Sequence, residues 1–293
     1  MIGLLNIHKP AGLTSRDVVN HVQRLARPDK VGHAGTLDPL ATGVLVVGVG
    51  RATRLVPFIQ QLHKTYRATF LLGRTSDTDD VEGRVIVLEH APTVTRQQVL
   101  AALPRFVGRI EQVPPQFSAV KVQGERAYDL ARAGLTADIK PRLVDVYRLE
   151  LLTLEPPELS LEIECGSGTY VRSIGRDLGA RLGTGAVMCG LVRTRIGPFR
   201  IEQALMLDEI NRDSLAASLL PAACAVTDHP RCLVDSDQAA HLRHGRSIPF
   251  SGMPDSGGAV PLAVIGPQGE LMALAAVRNG RLCPTLVLAP GNE

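Results

Sequence analysis

The 293-residue chain contains no tryptophan, and aromatic residues make up only 3% of it. Its five cysteines are scattered without a C-x-x-C pair, so neither a disulfide framework nor a zinc knuckle is supported. No segment approaches the roughly 18 uninterrupted apolar residues of a membrane helix, and the first residues lack the pattern of a signal peptide. We therefore expect a globular, cytoplasmic protein with reduced cysteines and no membrane partner.

Lysine is scarce too, since it supplies 5 of the 32 basic residues while arginine supplies 27. Arginine matches phosphate geometry better than lysine does, so this balance weakly favours a nucleic-acid partner. The net charge is +3, and residues 229–293 hold five arginines and five acidic residues. The whole positive excess thus lies in residues 1–228, which we expect to dominate any binding of RNA.

Strand and helix patterns are mixed along the first 228 residues. Between residues 147 and 165 two strand runs flank a Pro-Pro pair, and the second alternates apolar and polar residues as a half-buried antiparallel strand does. These patterns predict an α+β fold with a mixed, mainly antiparallel sheet flanked by helices. Further predicted strands are 4–7, 44–49, 66–72 and 117–122; predicted helices are 16–26, 52–62, 95–103, 125–133, a helix carrying Ile174, Leu178 and Leu182, and 207–220.

The last part of the chain differs from the rest in its short strands and glycine turns. Strand patterns at 259–265, at 271–277 and in a final run to 288 are separated by Pro-Gln-Gly and Asn-Gly turns. They predict a small β-barrel-like domain. We place the boundary near residue 229, which gives domains 1–228 and 229–293.

The loop Gly32–Gly43, GHAGTLDPLATG, carries one carboxylate, Asp38, among glycines, threonines and a histidine. Pro39 favours an extended Asp38, so the loop presents that side chain rather than burying it in a helix. Asp-Pro pairs also begin ordinary turns, and local sequence leaves both interpretations open.

Three further residues have both a functional and a structural interpretation. Tyr66 is surrounded by cations and is either a platform for a stacked base or a core tyrosine. Arg172 follows a glycine-rich bend and either holds an anion or lies on the surface. His33 is a general acid, a wedge or a turn residue.

An acidic run follows at Asp77, Asp79, Asp80 and Glu82, but it lacks the spacing of a calcium loop. We expect a solvated loop in which Asp79 orients a neighbouring basic group. Basic residues elsewhere are interleaved with aromatics, as on an RNA-binding surface, although a solvated face explains each one equally well. They are Lys121, Arg126, Arg193, Arg195 and Arg200.

Together these pieces resemble one family, the TruB-type tRNA pseudouridine synthases, which are bacterial enzymes that act on the T-loop uridine at position 55. The similarity covers most of residues 1–200, and several spaced motifs in one order make it specific. The matching segments are Asn6 to Pro10 with Gly12, Thr14 and Ser15, the loop 32–43, Lys64 to Tyr66, Gly73 to Asp80, Pro115 to Lys121, Gly168 to Ser173 and Leu191 to Thr194.

The resemblance implies an aspartate nucleophile at Asp38, Tyr66 stacked on a flipped base and Arg172 paired with the aspartate. It implies that His33 contacts the displaced RNA loop. It also implies a C-terminal module similar to the PUA fold and a T-stem-loop of tRNA as partner. Because making pseudouridine involves no net redox change, we expect no cofactor and no metal. We also expect a monomer without an obligate protein partner. The other expected RNA-binding residues are Gly32, Lys9, Lys64, Tyr170, Lys121, Leu191 and Arg193.

Two rival functions remain open on the sequence. A non-catalytic tRNA-binding or tRNA-folding protein would use the same basic surface, and a nucleosidase or glycosidase would usually need a second working carboxylate. The sequence also leaves open whether Asp38 attacks the sugar or the base, and whether Tyr66 or a water accepts the C5 proton.

Overall fold

The computed structural model describes residues 1–118, 120–122, 124–251 and 260–288, and this part contains nineteen strands and six α-helices. The strands are β1 Gly3–Lys9, β2 Val31–His33, β3 Thr42–Val49, β4 Lys64–Leu72, β5 Arg74–Ser76, β6 Val85–Val87, β7 Gly108–Gln112, β8 Lys121–Val122, β9 Glu125–Arg126, β10 Arg142–Glu155, β11 Glu158–Cys165, β12 Ala186–Ile196, β13 Phe199–Arg200, β14 Leu205–Met206, β15 Arg231–Leu233, β16 Ile248–Pro249, β17 Leu262–Ile265, β18 Leu271–Arg278 and β19 Arg281–Val287. The helices are α1 Ser15–Ala26, α2 Val56–Gln61, α3 Arg96–Ala102, α4 Ala127–Arg132, α5 Val171–Leu182 and α6 Ser236–Arg243.

A ten-stranded sheet runs through the first part of the chain in the order β14-β1-β3-β12-β4-β11-β10-β7, with β13 paired to β12 and β2 paired to β3. Only the β1–β14 and β12–β3 pairs are parallel within it. The predicted α+β class with a mixed, mainly antiparallel sheet is therefore confirmed. The sheet brings β3, β12 and β4 side by side at its centre, although they lie far apart in sequence.

Local sequence explains why the helices begin where they do. Thr14 caps α1 through a reciprocal capping box with Asp17, and Thr95 caps α3 through the same motif with Gln98. Helix α5 ends at Gly183, whose backbone has a left-handed φ of 73° that suits glycine. The sequence therefore marks the ends of these helices.

Helices α3 and α5 cover one face of the sheet over β4, β10, β11 and β12, and their apolar residues form a continuous cluster there. Helix α5 lies very close to β4, because a Cβ built on Gly175 would come within 2.2 Å of the Phe70 ring. Phe70 is fully buried. This glycine sets the close approach that brings the start of α5, with Arg172, beside the centre of the sheet.

A second sheet of five strands, β15-β17-β18-β19-β16, forms the C-terminal part. Apolar residues of this sheet, including Ile265 and Leu274, share one cluster with Leu4, Val44 and other residues of the large sheet. The C-terminal unit thus packs against the rest of the chain. Residue 259, where the first predicted strand of this unit begins, lies outside the described residues.

Two predicted elements differ from the structure. The helix expected over 207–220 is reduced to a short 3-10 turn, Leu207–Glu209, because the Asn211 and Ser214 side chains bond nearby backbone N–H groups and compete with a helix. The strand expected over 117–122 is reduced to β8. Its earlier carbonyls bond elsewhere, since the Phe117 oxygen accepts from Arg172 and the Ser118 oxygen accepts from Tyr128 N–H.

The other predicted elements correspond to helices or strands of the structure with approximate bounds, whereas β7, β12 and α6, among others, were not predicted. The segment expected to be one helix at 52–62 is a 3-10 helix, Gly50–Leu55, followed by α2. Residue 119, which falls in the expected strand, lies outside the described part. Among the described residues no helix is long and apolar enough to cross a membrane.

The contact between Gly175 and Phe70 generates a stability prediction. Helix propensity alone predicts that Gly175→Ala stabilises the protein by about 1 kcal/mol. We expect instead a loss of about 1–3 kcal/mol in the free energy of unfolding, because the added methyl group overpacks the buried ring. Urea denaturation measures it.

As a control, Arg181→Ala on an exposed turn of the same helix should change stability by less than about 0.5 kcal/mol. Adding Phe70→Leu to Gly175→Ala should recover part of the loss relative to the sum of the two single changes. A more stable Gly175→Ala variant would show that α5 does not approach β4 this closely.

Candidate active site

Asp38 lies in the loop between β2 and β3, and its backbone oxygen accepts a hydrogen bond from Ala41 N–H at 3.0 Å. The side chain is 35% exposed, so it can be reached from solvent while most of it is enclosed. Gly43 ends this loop with a φ of 99°, and a Cβ there would lie 2.3 Å from the Arg193 carbonyl oxygen. Only glycine permits this approach of β3 to β12.

Two buried cations hold the loop from inside. Arg193 is 1% exposed and donates to the carbonyl oxygens of Val44 at 2.7 Å and Gly35 at 3.1 Å. Lys9 is fully buried and donates to three carbonyl oxygens, those of Pro10, Leu13 and Pro39, at 2.9, 2.6 and 3.3 Å. A buried charge is costly unless its donors are bonded, so these cations fix the backbone on both sides of Asp38.

Arg172, in the first turn of α5, is buried and bridges two carboxylates. Its Nη2 lies 3.2 Å from Asp38 Oδ2, and its Nη1 lies 3.2 Å from Asp80 Oδ2. The guanidinium also donates to the backbone oxygens of Thr78 at 2.9 Å and Phe117 at 3.1 Å. Four partners on three segments thus fix its position.

The structure identifies Asp80 as a site residue that the sequence analysis missed. It is 2% exposed, and its Oδ1 accepts from the Thr78 hydroxyl at 2.6 Å and from Glu82 N–H at 3.0 Å. The expectation of a solvated acidic loop is therefore wrong for Asp80. The available signal was its place at the end of the Gly73 to Asp80 segment, which supported the family resemblance without receiving a role.

Tyr66 and Leu191 form an apolar wall beside Asp38. They lie on the neighbouring strands β4 and β12, each is 8% exposed, and both belong to the cluster that contains Leu37 and Ala41 of the Asp38 loop. Burial raises the pKa of the Tyr66 phenol, with Arg193 acting in the opposite direction. Tyr66 is therefore a neutral phenol at physiological pH, as suits a platform for an uncharged base.

The pKa of Asp38 is raised above its ordinary value of 3.8, and burial is the main cause. Arg172 acts against burial and lowers the pKa, Asp80 raises it, and Lys9 lowers it. Of these neighbours, the family resemblance implied only the pairing with Arg172. An enclosed carboxylate with one bonded cation is poorly hydrated and well oriented, two properties that favour nucleophilic attack.

Lys9, Lys64 and Arg193 were expected to bind RNA, and the structure gives them other partners. Lys64 is buried and donates to the carbonyl oxygens of Gln60 at 2.6 Å and Leu62 at 2.7 Å, while burial lowers its pKa to about 8. Buried groups bonded to carbonyls do not reach a phosphate. These three cations therefore hold the protein's own loops, which corrects their predicted role.

Other predicted residues lie at more accessible positions. Gly32 and His33 are half-buried at the end of β2, next to the Asp38 loop, and Lys121 is exposed in β8. Burial lowers the pKa of His33, with Arg16 and Arg193 as further causes. Tyr170 is half-buried at the N-cap of α5, with the Arg142 guanidinium 4.6 Å from its ring centre.

Among the described residues, no group of three or more His, Cys, Asp or Glu side chains is placed to bind a metal ion. What the site provides is one partly exposed carboxylate, Asp38, one arginine paired with it, an aromatic ring and an apolar wall. These groups can perform nucleophilic chemistry on a flat, uncharged base that is inserted into the cleft.

Comparison with known proteins agrees with this chemistry. The family model described as TruB family pseudouridylate synthase (N terminal domain) matches residues 23–171. A model described as tRNA pseudouridylate synthase B C-terminal domain matches 172–226, and one described as tRNA Pseudouridine synthase II, C terminal, matches 229–289.

Curated relatives extend the match to nearly the whole chain. A tRNA pseudouridine synthase B of Arthrobacter sp. (strain FB24) is 41% identical, covering 99% of this chain and 98% of its own length. The protein of the same name from Thermobifida fusca (strain YX) is 43% identical over 98% of both chains.

Solved structures show the same fold. A chain in the crystal structure of a Cbf5-Nop10-Gar1 complex has a TM-score of 0.75 at 26% identity and matches over 99% of this chain and 85% of its own. A chain in the archaeal box H/ACA sRNP Nop10-Cbf5 complex has a TM-score of 0.71 at 25% identity, over 99% and 87%. Because one family model spans half of the chain and relatives above 40% identity span nearly all of it, the chain belongs to the TruB family of pseudouridylate synthases.

Proposed function

We propose that this protein is a tRNA pseudouridine synthase that isomerises the T-loop uridine at position 55, with Asp38 as nucleophile. The observation that carries the proposal is the Asp38–Arg172 ion pair at 3.2 Å beside the apolar wall of Tyr66 and Leu191. The names of the curated relatives support tRNA as the substrate.

The reaction breaks the bond between ribose C1′ and uracil N1, and it forms a bond between C1′ and C5. The proton on C5 leaves and N1 gains a proton, so the reaction is an isomerisation without net redox change. One ionised carboxylate can form and release the covalent intermediate that this rearrangement requires. Asp38 is the carboxylate whose surroundings suit that task, because Arg172 fixes its direction and favours its charged form.

The uridine must leave its stack before it can enter so enclosed a site. In the proposal the flipped base lies on Tyr66 and against Leu191, while His33 and Gly32 contact the RNA loop that the base leaves. Tyr170 and Lys121 contact the RNA at the more accessible positions around α5 and β8. The proposed active form is a monomer.

We further propose that residues 1–228 form the catalytic domain and residues 229–293 a PUA-like RNA-binding domain. The separate five-stranded sheet of the C-terminal part and its exposed arginines, among them Arg231, Arg246 and Arg278, support this division. The shared apolar cluster keeps the two parts in contact, so one tRNA can lie on both. With tRNA as substrate, the proposed location is the cytoplasm.

The nucleophile assignment predicts the behaviour of Asp38→Asn. We expect pseudouridine formation in a T-stem-loop transcript to fall by roughly 10⁴-fold or more, because the covalent step loses its nucleophile. The dissociation constant of the transcript should stay within about threefold of the wild-type value. Asparagine keeps the shape of the side chain and removes a negative charge that repels phosphates. Single-turnover release of tritium from C5 and filter binding measure the two quantities.

The control is Asp208→Asn, which removes an exposed carboxylate and should leave turnover unchanged. Full residual turnover in Asp38→Asn would refute the nucleophile assignment. Release of free uracil by the wild-type protein would point to a nucleosidase instead.

The raised pKa of Asp38 predicts an acid limb in the pH profile. The nucleophile must be ionised, so the single-turnover rate should rise with pH and reach half its plateau above pH 3.8, the ordinary pKa of aspartate. In Arg172→Gln the limb should move to higher pH, because the main group that lowers the pKa is gone. Rates measured across the acidic range at saturating transcript test both statements, and a limb that stays in place in Arg172→Gln would contradict them.

A further inference from the structure

Two consecutive turns of α5 bind two consecutive residues of the acidic loop. Arg172 and Arg176 are four residues apart, so they lie on the same face of the helix. Arg172 Nη1 is 3.2 Å from Asp80 Oδ2, and Arg176 Nη1 is 2.9 Å from Asp79 Oδ2. Only the first of these pairs touches Asp38, so the mechanism proposed above leaves Arg176 and Asp79 without a role.

The backbone at Asp79 is arranged for this double contact. Consecutive side chains of an extended segment point to opposite sides. If residues 79 and 80 were extended, only one of the two carboxylates would therefore face α5. Asp79 has a φ of 63°, in the left-handed region that aspartate tolerates better than most residues. This conformation lets both carboxylates face the helix.

The same loop is docked onto β12 by its backbone. Met188 N–H donates to the Asp79 oxygen at 3.0 Å, and Val81 N–H donates to the Met188 oxygen at 3.0 Å. Arg176 Nη2 also donates to the Val113 oxygen at 2.8 Å, which ties the helix to the segment after β7. The side chain of Asp79 is 13% exposed, so its charge is largely enclosed and needs its arginine.

We propose that Asp79 and Arg176 are a positioning pair for the reaction: they hold Asp80 against Arg172 and thereby hold the Arg172 guanidinium against Asp38. This inference rests on the proposed function for its consequence in turnover. Among the contacts that the described residues make, none joins this pair to Asp38, Tyr66 or Leu191, so its proposed effect passes through Asp80 and Arg172.

The charge state of Asp38 reports this coupling. The charged or titratable groups that influence or face it are Arg172 on α5, Asp80 and Glu82 on the acidic loop, Lys9 on β1 and Tyr66 on β4. Arg172 is the one that most strongly favours the ionised form. A guanidinium that drifts away from Asp38 therefore raises the pKa of Asp38.

Asp79→Asn separates positioning from plain electrostatics by the sign of its effect. Asparagine keeps the left-handed backbone and an oxygen acceptor but removes one negative charge. Through space, the loss of a negative charge lowers the pKa of Asp38. If the pair positions Arg172, the loosened guanidinium raises that pKa instead.

The experiment measures the pKa of Asp38 directly in the free, full-length protein, from the ¹³C shift of its carboxyl group in an NMR titration. The variants are Asp79→Asn and Arg176→Lys, with Asp177→Asn as the control. Arg176→Lys keeps the positive charge and loses the guanidinium fork, so it tests the geometry even where Asp79→Asn fails to fold. Asp177 is the more exposed partner of Arg176, 2.8 Å from its Nε, and its loss leaves the Asp79 contact intact.

We expect the pKa of Asp38 to rise in Asp79→Asn and in Arg176→Lys and to stay at the wild-type value in Asp177→Asn. At pH 6 the single-turnover rate of both variants should fall about tenfold, equivalent to 1.4 kcal/mol, with KM for the transcript unchanged. The double variant Asp79→Asn/Arg176→Lys should be no slower than either single variant, because one contact is lost in all three.

The inference is overturned if the pKa of Asp38 falls or stays unchanged in both variants. A lower melting temperature of the variants would not rescue it, because a contact with a purely structural role changes stability and leaves the pKa of Asp38 in place. A wild-type protein that forms no pseudouridine would refute the proposed function. The NMR titration would still decide the positioning pair in that case, since it needs no turnover.

Discussion

The guanidinium of Arg172 forms an ion pair with the candidate nucleophile on one side and with the buried carboxylate of Asp80 on the other, and the geometry of the site depends on it. Taking Asp38 out of bulk water raises the pKa of its carboxyl group, which works against a reaction that needs the ion. Arg172 partly reverses this rise in the pKa of Asp38. It approaches Asp38 from α5 with Nη2, while its Nη1 is paired with Asp80.

The scaffold around this pair is built from buried cations whose partners are backbone carbonyls. Lys9 and Arg193 bind opposite sides of the Asp38 loop, and Gly43 lets β12 come close enough for Arg193 to reach it. Gly175 has the same function for α5, since it lets the start of that helix lie over β4. Precise placement of a nucleophile requires such support, because small displacements of reacting groups are costly in rate.

Sequence reasoning recovered the elements whose signals are local. Capping boxes, strand alternation and glycine turns predicted most helices and several strands, although not the central strand β12, and the family motifs singled out Asp38, Tyr66 and Arg172. It failed where local side-chain hydrogen bonds to the backbone compete with a helix. The apolar spacing of 207–220 imitates a helix, but Asn211 and Ser214 bind the backbone in turns.

Charge type alone was also a poor guide to solvent exposure. The basic character of Lys9, Lys64 and Arg193 suggested phosphate contacts, whereas these residues bind carbonyls inside the protein. The acidic loop suggested solvation, whereas Asp80 is enclosed by partners from distant segments. These partners come from parts of the chain separated by many residues, and a single sequence does not reveal which of them meet.

The most direct test of the proposed function is to map every pseudouridine in an unmodified, full-length tRNA transcript after incubation with the wild-type protein. We expect one pseudouridine, at the T-loop uridine of position 55; modification at a different uridine, or none at all, would contradict the proposed function.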